Sequence, residues 1–364
     1  MHKTLLIITY VDFWKKGSGH RSRISSLVNY FKDKIKITIF FAGCEKEDET
    51  ILLKTIFPEI EFEFAGTGAA ITFKECKEIF EHFIKDKFFD FALVEYIELS
   101  MVLEYLPGNT ITLLDTHDIV YNRIESFRKF NVEDDGIVIS KEEEINIYKC
   151  YDYIILIQKT DFENIAKEIG AANLLVVQHP AILEKKKIRK KAKNVGYIAS
   201  PYAPNIDALK WFINNVWNDI YKKHDLVLNV YGNVCQGFSS ALNVSDDNII
   251  FHGFVEDLDK AYNNSDVITN PIRCGAGLKI KNVEALGYGI PLITSTHGAS
   301  GMEDGASKAF LIADNREEYL LAFDLIEDYN LREQISDDAF EYAQSNFSEE
   351  KCYTSLLQII DNKS

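Results

Sequence analysis

The strongest constraint on what this chain can fold into is a rhythm: short, near-continuous apolar runs alternate with stretches of helical spacing. Lys3–Tyr10, Ile35–Phe41, Phe89–Val94 and Thr110–Leu114 are strand-like runs, and Ser22–Phe31 has helical periodicity. Tyr153–Ile157 and Leu174–Val177 continue the strand series. Strands this apolar must be covered on both faces, which predicts a parallel sheet flanked by helices, an α/β architecture.

The rhythm stops at Glu184–Lys193, a run dominated by lysine and arginine, and then restarts. Strands are expected at Asn194–Ala199, Leu226–Tyr231, Asn248–Phe251, Val267–Asn270 and Pro291–Thr294, with helices at Asn205–Tyr221, Leu258–Asn263 and Lys279–Tyr288. The chain's 364 residues are comfortable for two domains. The division predicted is an N-terminal Rossmann-like domain over 1–183, a solvated basic linker over 184–193, and a C-terminal Rossmann-like domain over 194–347. A last helical segment, 348–364, has too few neighbours to fold alone and is expected to dock on the first domain.

A formal charge of −16 repels phosphate backbones, so nucleic acid is not an expected partner. The start of the chain lacks the features of a signal peptide and no segment is apolar enough to span a bilayer, so a cytoplasmic location is expected, with peripheral membrane contact left open. The six cysteines lie far apart and no histidines cluster, so neither a metal site nor a disulfide framework is expected.

In open α/β sheets, ligands sit at the carboxyl ends of strands, where helix N-termini present free N–H groups. One such end is Asn270 to Pro291. Gly275 and Gly277 allow close backbone approach before a helix, on which Lys281, Glu284 and Tyr288 share a strip while Ile280, Val283 and Leu286 face the core. Lys279 joins that strip only if it stands in the turn before the helix. Taken alone, a glycine pair is weak evidence and Lys281–Glu284 is equally a surface pair.

The full string Gly275-Ala-Gly277-Leu-Lys279-Ile-Lys281-Asn-Val-Glu284-Ala-Leu286 resembles the donor motif G-x-G-x-K-x-K-x-x-E-A-L of a subgroup of glycosyltransferase family 4, the group 1 glycosyltransferases. The resemblance implies a GT-B fold, two Rossmann-like domains facing across a cleft. It implies that Glu284 accepts the ribose hydroxyls of a nucleotide-sugar donor and that Gly277, Lys279 and Lys281 hold the diphosphate. Most of the wider family has a second glutamate where this chain has Ala276, which removes the customary contact to the donor sugar.

Val195–Phe212 resembles the same subgroup. Asn205 there is placed to cap the following helix and is a donor-binding candidate. The ends Val230–Asn233 and Phe251–Leu258 would border the base and diphosphate, with backbone near Gly253–Val255 reading the base. In the first half, Gly17 and Gly19 of Trp14–Arg21 form a loop facing the donor, since the G-x-G-x-x-G spacing of a dinucleotide site fails at Ser22. Leu113–Arg123 places Asp115, His117 and Asp118 at a strand end. These residues could cap the next helix, but the segment resembles the family's sugar-contacting histidine, which makes His117 the catalytic candidate. Tyr153–Asp161, with aspartate where a glutamate is more usual, and Val177–Pro180 are read as scaffold.

The resemblance implies metal-independent transfer of a hexose-type sugar with retention, needing no cofactor beyond the nucleotide-sugar, to a hydroxyl acceptor on a sugar, lipid-linked sugar or protein. Synthesis of a bacterial surface polysaccharide or glycoconjugate would use such a step. A sugar-nucleotide epimerase or phosphorylase on the same fold, or a non-catalytic nucleotide-sugar-binding subunit, stays open.

Overall fold

The computed structural model describes residues 3–67, 72–133, 136–238 and 248–362. The first sheet contains β1 (Thr4–Thr9), β2 (Lys36–Glu45), β3 (Glu61–Thr67), β4 (Phe91–Glu95), β5 (Ile111–Asp115), β6 (Tyr153–Leu156) and β7 (Leu174–Val176), in the order β3-β2-β1-β4-β5-β6-β7. The second contains β8 (Asn194–Ile198), β9 (Val227–Tyr231), β10 (Ile249–Gly253), β11 (Val267–Asn270), β12 (Leu292–Thr294) and β13 (Leu311–Ile312), in the order β10-β9-β8-β11-β12-β13. Neighbouring strands pair in parallel throughout. Both sheets therefore change direction beside their first strand, β1 or β8, and the crevice at that reversal is where such sheets bind ligands.

Burial explains why these runs became strands. Leu5–Ile8 and Phe91–Val94 are enclosed, as full coverage by helices requires. β3 was not expected: its alternation of Glu61, Phe62, Glu63 and Phe64 is the mark of a half-exposed edge strand, not of a buried one.

The basic run links the two sheets but is not free in solvent. The Glu184 and Lys186 amides donate to the Gly287 and Tyr288 carbonyls, Arg189 pairs with Asp266 at 2.9 Å, and Arg332 donates to the Arg189 and Lys190 carbonyls. Lys185, Arg189, Lys191 and Lys193 pair with Asp337, Asp266 and Asp225 of the second domain, so the run, most of it exposed, is tethered along its length as a strap.

Three helices close the chain, the last being Glu349–Asn362. This helix lies against the first sheet's domain. Tyr353 packs on Tyr30 and Phe31 with ring centroids 4.7 and 5.6 Å away, Ser355 Oγ donates to the Val176 carbonyl at 3.0 Å, and Lys3 Nζ donates to the Ile360 carbonyl at 2.7 Å. Residues 363–364 of the expected segment lie outside the described residues. Among the described residues no helix is long and apolar enough to cross a membrane.

Candidate active site

The turn after β11 is built from its anchors outward. Asn270 is fully buried and donates to Asn282 Oδ1 at 2.8 Å, while Asn282 donates to Thr294 Oγ1 and to the Gly298 carbonyl. This chain of amides fixes the start of helix Ile280–Gly287 against β11 and β12. Gly275 and Gly277 then take φ of +116° and +68°, values that disfavour any residue with a Cβ.

Lys279 stands before the helix, with φ −85° and ψ 91°. Its ammonium folds back to the Gly277 carbonyl at 2.7 Å and the Ala276 carbonyl at 3.2 Å, so it tightens the turn that it follows. Lys281 Nζ donates to Asn205 Oδ1 at 2.7 Å, and Glu284 accepts from the Tyr262 hydroxyl at 2.7 Å. Enclosure by protein lowers Lys279 to about 8 and, with the charge of Lys279 added, Lys281 to about 7. Burial likewise raises Glu284 to about 7, against the opposing pull of Tyr262 and Lys281. A diphosphate and a pair of ribose hydroxyls would return these groups to their charged forms.

Two expectations are corrected here. Asn205 does not cap its helix: the helix is Ala203–Phe212, Tyr202 is the cap residue, and Pro204 in the first turn starts the helix earlier because its fixed φ suits that position. Asn205 instead holds Ser200 through its amide nitrogen and Lys281 through its oxygen. Ile280 does not face the core: it is half-buried, and a Cβ built on Gly19 would lie 3.1 Å from its Cδ1.

That contact crosses the cleft. Gly17, at φ +106°, packs its open face on the Phe254 ring, which follows β10. A Cβ on Gly277 would sit 2.9 Å from the His117 carbonyl oxygen, and the Gly275 amide donates to Ser126 Oγ at 3.0 Å. Across the cleft, Gly17 thus meets Phe254, Gly19 meets Ile280 at the start of the Lys281–Glu284 helix, and the His117 carbonyl meets Gly277.

His117 stands two residues beyond the end of β5 in a left-handed conformation, φ 57°. Its Nε2 lies 2.6 Å from Glu95 Oε2, and its ring stacks on Tyr96 at 4.0 Å with an interplanar angle of 6°. Tyr96 also has positive φ, 71°. Asp115 is fully buried and held by Arg23 in a two-pronged pair at 2.9 and 3.0 Å. Burial alone would raise the Asp115 carboxyl, but Arg23 and His117 outweigh it and hold it below its ordinary value. Glu95 moves the other way, raised by burial and by the charge of Asp115.

None of these residues caps helix Val120–Phe130. Glu144 does so from a distant segment, accepting the Val120 and Tyr121 amides at 2.9 Å each. Glu95, Asp115 and His117 offer ligand atoms within 4.8 Å of one another, the kind of grouping a metal ion could use. Both Asp115 oxygens are already engaged by a guanidinium, which is the wrong neighbour for a divalent cation.

Glu95, Tyr96, Tyr262 and Asn282 were not anticipated. Each comes from an element remote from its partner or from a buried helix face, and no local pattern marks it. Gln158 and Asp161, read as scaffold, help to line an interdomain cavity of about 890 Å³. Gly277 and Lys279 form part of its wall; Lys281, Glu284 and His117 do not.

This geometry has relatives. Residues 192–325 match the family model for group 1 glycosyl transferases. An uncharacterized 44.6 kDa protein in the cps region of Klebsiella pneumoniae is 25% identical over 230 residues, covering 60% of this chain. The matched region spans 58% of that protein's length.

Among solved structures, the sucrose-phosphate synthase of Thermosynechococcus elongatus superposes with a TM-score of 0.75 at 14% identity, covering 99% of this chain and 98% of the other. The HepE protein of Anabaena in complex with UDP-glucose gives a TM-score of 0.69 at 14% identity over 99% and 100% of the two chains. The fold is GT-B: two Rossmann-like domains facing across a cleft. In fold the chain is GT-B, and its residues 192–325 match a group 1 glycosyl transferase domain.

Proposed function

We propose that the chain transfers a hexose-type sugar from a nucleotide-diphosphate donor to a hydroxyl acceptor, with retention and without a metal ion. The observation that carries this reading is Lys281 and Glu284 on one strip of a helix whose N-terminus opens onto the cleft opposite His117. Glu284 would accept the ribose hydroxyls, and Lys281, with the free amides at the helix start, would take the charge that grows on the departing diphosphate. Gly277 would let the phosphates approach the backbone, and Gly17 and Gly19 would cover them from the other domain. Asn205 would orient Lys281, and Lys279 would hold the turn.

The bond from the anomeric carbon to the phosphate oxygen breaks, and the acceptor oxygen bonds the same face. The acceptor proton passes to the departing phosphate oxygen. His117, fixed by Glu95 and Tyr96, would contact the sugar. The relative in a cps region supports a role in building a bacterial surface polysaccharide or glycoconjugate.

A ligand that binds only the folded state raises the melting temperature. UDP-, GDP-, dTDP- and ADP-sugars should therefore include at least one that raises it, and Glu284→Ala should weaken that donor about tenfold or more, the cost of a lost charged hydrogen bond. No shift with any of the four, or unchanged affinity in the variant, overturns the donor site. Ala276 favours one alternative, a subunit that binds nucleotide-sugar without turning it over. Donor cleavage in the presence or absence of acceptor excludes that reading.

A further inference from the structure

The Glu284 carboxylate is held from another helix. Lys281, one turn before it, gives its ammonium to Asn205. Among the described residues the one hydrogen bond to the carboxylate comes from Tyr262, on helix Leu258–Asn264, whose hydroxyl donates to Oε2 at 2.7 Å. The Lys281 carbonyl also lies near that hydroxyl, but at 3.4 Å. A phenol has a single proton to give, and the shorter contact claims it for Glu284.

Tyr262 is itself fixed. It is 1% exposed, and its ring stacks on Tyr288 with centroids 4.7 Å apart and an interplanar angle of 27°. The Tyr288 hydroxyl pairs with Asp259, so the two hydroxyls of the stack serve different carboxylates. The strap backs the pair: the Lys186 amide donates to the Tyr288 carbonyl at 2.8 Å, and its ammonium lies 4.9 Å from the Tyr288 ring centroid.

A carboxylate offers about four acceptor positions. Tyr262 takes one on Oε2, which leaves Oε1 for a neighbouring pair of hydroxyls. Donation to the ionised form also opposes enclosure, and with the charge of Lys281 it pulls Glu284 back toward its ordinary value. The ionisable groups around the carboxylate are Lys281 and Tyr288 on its own helix and Tyr262 and Asp259 on the facing one, with Glu184 of the strap beyond Tyr288.

We propose that Tyr262 is a positioning residue for the donor: its hydroxyl holds one oxygen of Glu284 and leaves the other for the ribose hydroxyls. The inference rests on the donor reading of Glu284 and adds to it a residue that never touches the nucleotide.

The test uses the full chain and whichever of UDP, GDP, dTDP and ADP binds it best. Tyr262→Phe keeps the ring and its stack and removes the hydroxyl. Its affinity should fall about tenfold at pH 6 and converge on native by about pH 9, because losing a charged hydrogen bond moves the midpoint of the acid limb up about one pH unit. Tyr288→Phe, which strips the other hydroxyl of the stack, should leave that midpoint in place. Carbon-13 NMR of the Glu284 carboxyl in the free protein should show the same upward shift in Tyr262→Phe. In a Glu284→Ala background, Tyr262→Phe should change affinity less than about twofold, since the two residues act as one unit.

An unmoved midpoint overturns the inference. So do a loss of equal size at every pH, the same shift in Tyr288→Phe, and a Tyr262→Phe effect that adds in full to Glu284→Ala. Absence of binding by all four nucleotides, with a Glu284 titration that still follows Tyr262, would sink the donor reading and leave Tyr262 in control of the carboxylate.

Discussion

Lys281 and Glu284 are neighbours on one helix, yet each is held by a residue from another part of the chain, Asn205 and Tyr262. Their spacing was legible in the sequence because helical geometry fixes which residues share a face. Their partners were not, since a contact between distant segments leaves no local pattern. The same holds for His117, whose strand-end position could be read but whose clamp by Glu95 and Tyr96 could not. These environments set a pH dependence. Donor binding on the proposed reading needs Glu284 ionised and Lys281 charged, and both titrate at about 7 in the free protein. Below that pH Glu284 must lose a proton to bind; above it Lys281, and beyond about 8 Lys279, must gain one. UDP affinity should therefore peak near neutrality and fall on either side, by about tenfold for each group and each pH unit beyond its pKa. Calorimetric titration across pH checks it: Glu284→Gln should flatten the acid limb and Lys281→Met the alkaline limb. A flat profile in the native protein would remove both from the binding site.

The turn between β11 and its helix shows what one element needs to serve a cleft. Gly275 and Gly277 both carry positive φ, and Gly277 in addition has no room, since its missing Cβ would lie 2.9 Å from the His117 carbonyl oxygen. The glycine pair was evident in the sequence as a sign of close backbone approach. That it approaches the other domain as well as a ligand was not, because the order of residues along a chain does not say which loops face one another. Helix starts were read less well for a similar reason: Asn205 suits a cap by type, but Pro204 before it already satisfies the first turn. Gly277→Ala should lower stability by about 1–3 kcal/mol through backbone strain and weaken UDP binding by spreading the cleft. Gly108 is a fit comparison, because a Cβ there meets nothing within 4 Å. Urea unfolding should separate the two substitutions, with Gly108→Ala close to native. Equal midpoints would show that the cleft accommodates a side chain at 277.

At the scale of the whole molecule, two sheets with separate crevices become one device only if something sets their distance. Part of that work falls to cleft contacts, Gly17 on Phe254 and Gly19 on Ile280, which involve few atoms. The larger tie is the last helix, which leaves the second domain at Phe347, whose carbonyl accepts the Ala181 amide at 2.7 Å, and seats Tyr353 beside Tyr30 and Phe31 of the first. Tyr353 is 1% exposed, so removing its ring leaves a cavity in the first domain's surface layer and takes little from the core of the second. A large-to-small change of this kind costs about 3–5 kcal/mol. Tyr353→Ala should therefore lower the melting of the first domain more than that of the second. Scanning calorimetry, which resolves whether two domains melt together, should show a single native transition split or broaden on its low side. UDP affinity should fall less than it does in Glu284→Ala, because Lys281, Glu284 and Asn205 all remain on the intact second domain. A uniform shift of one sharp transition would instead mean that the cleft contacts and the strap at 184–193 couple the domains without the helix.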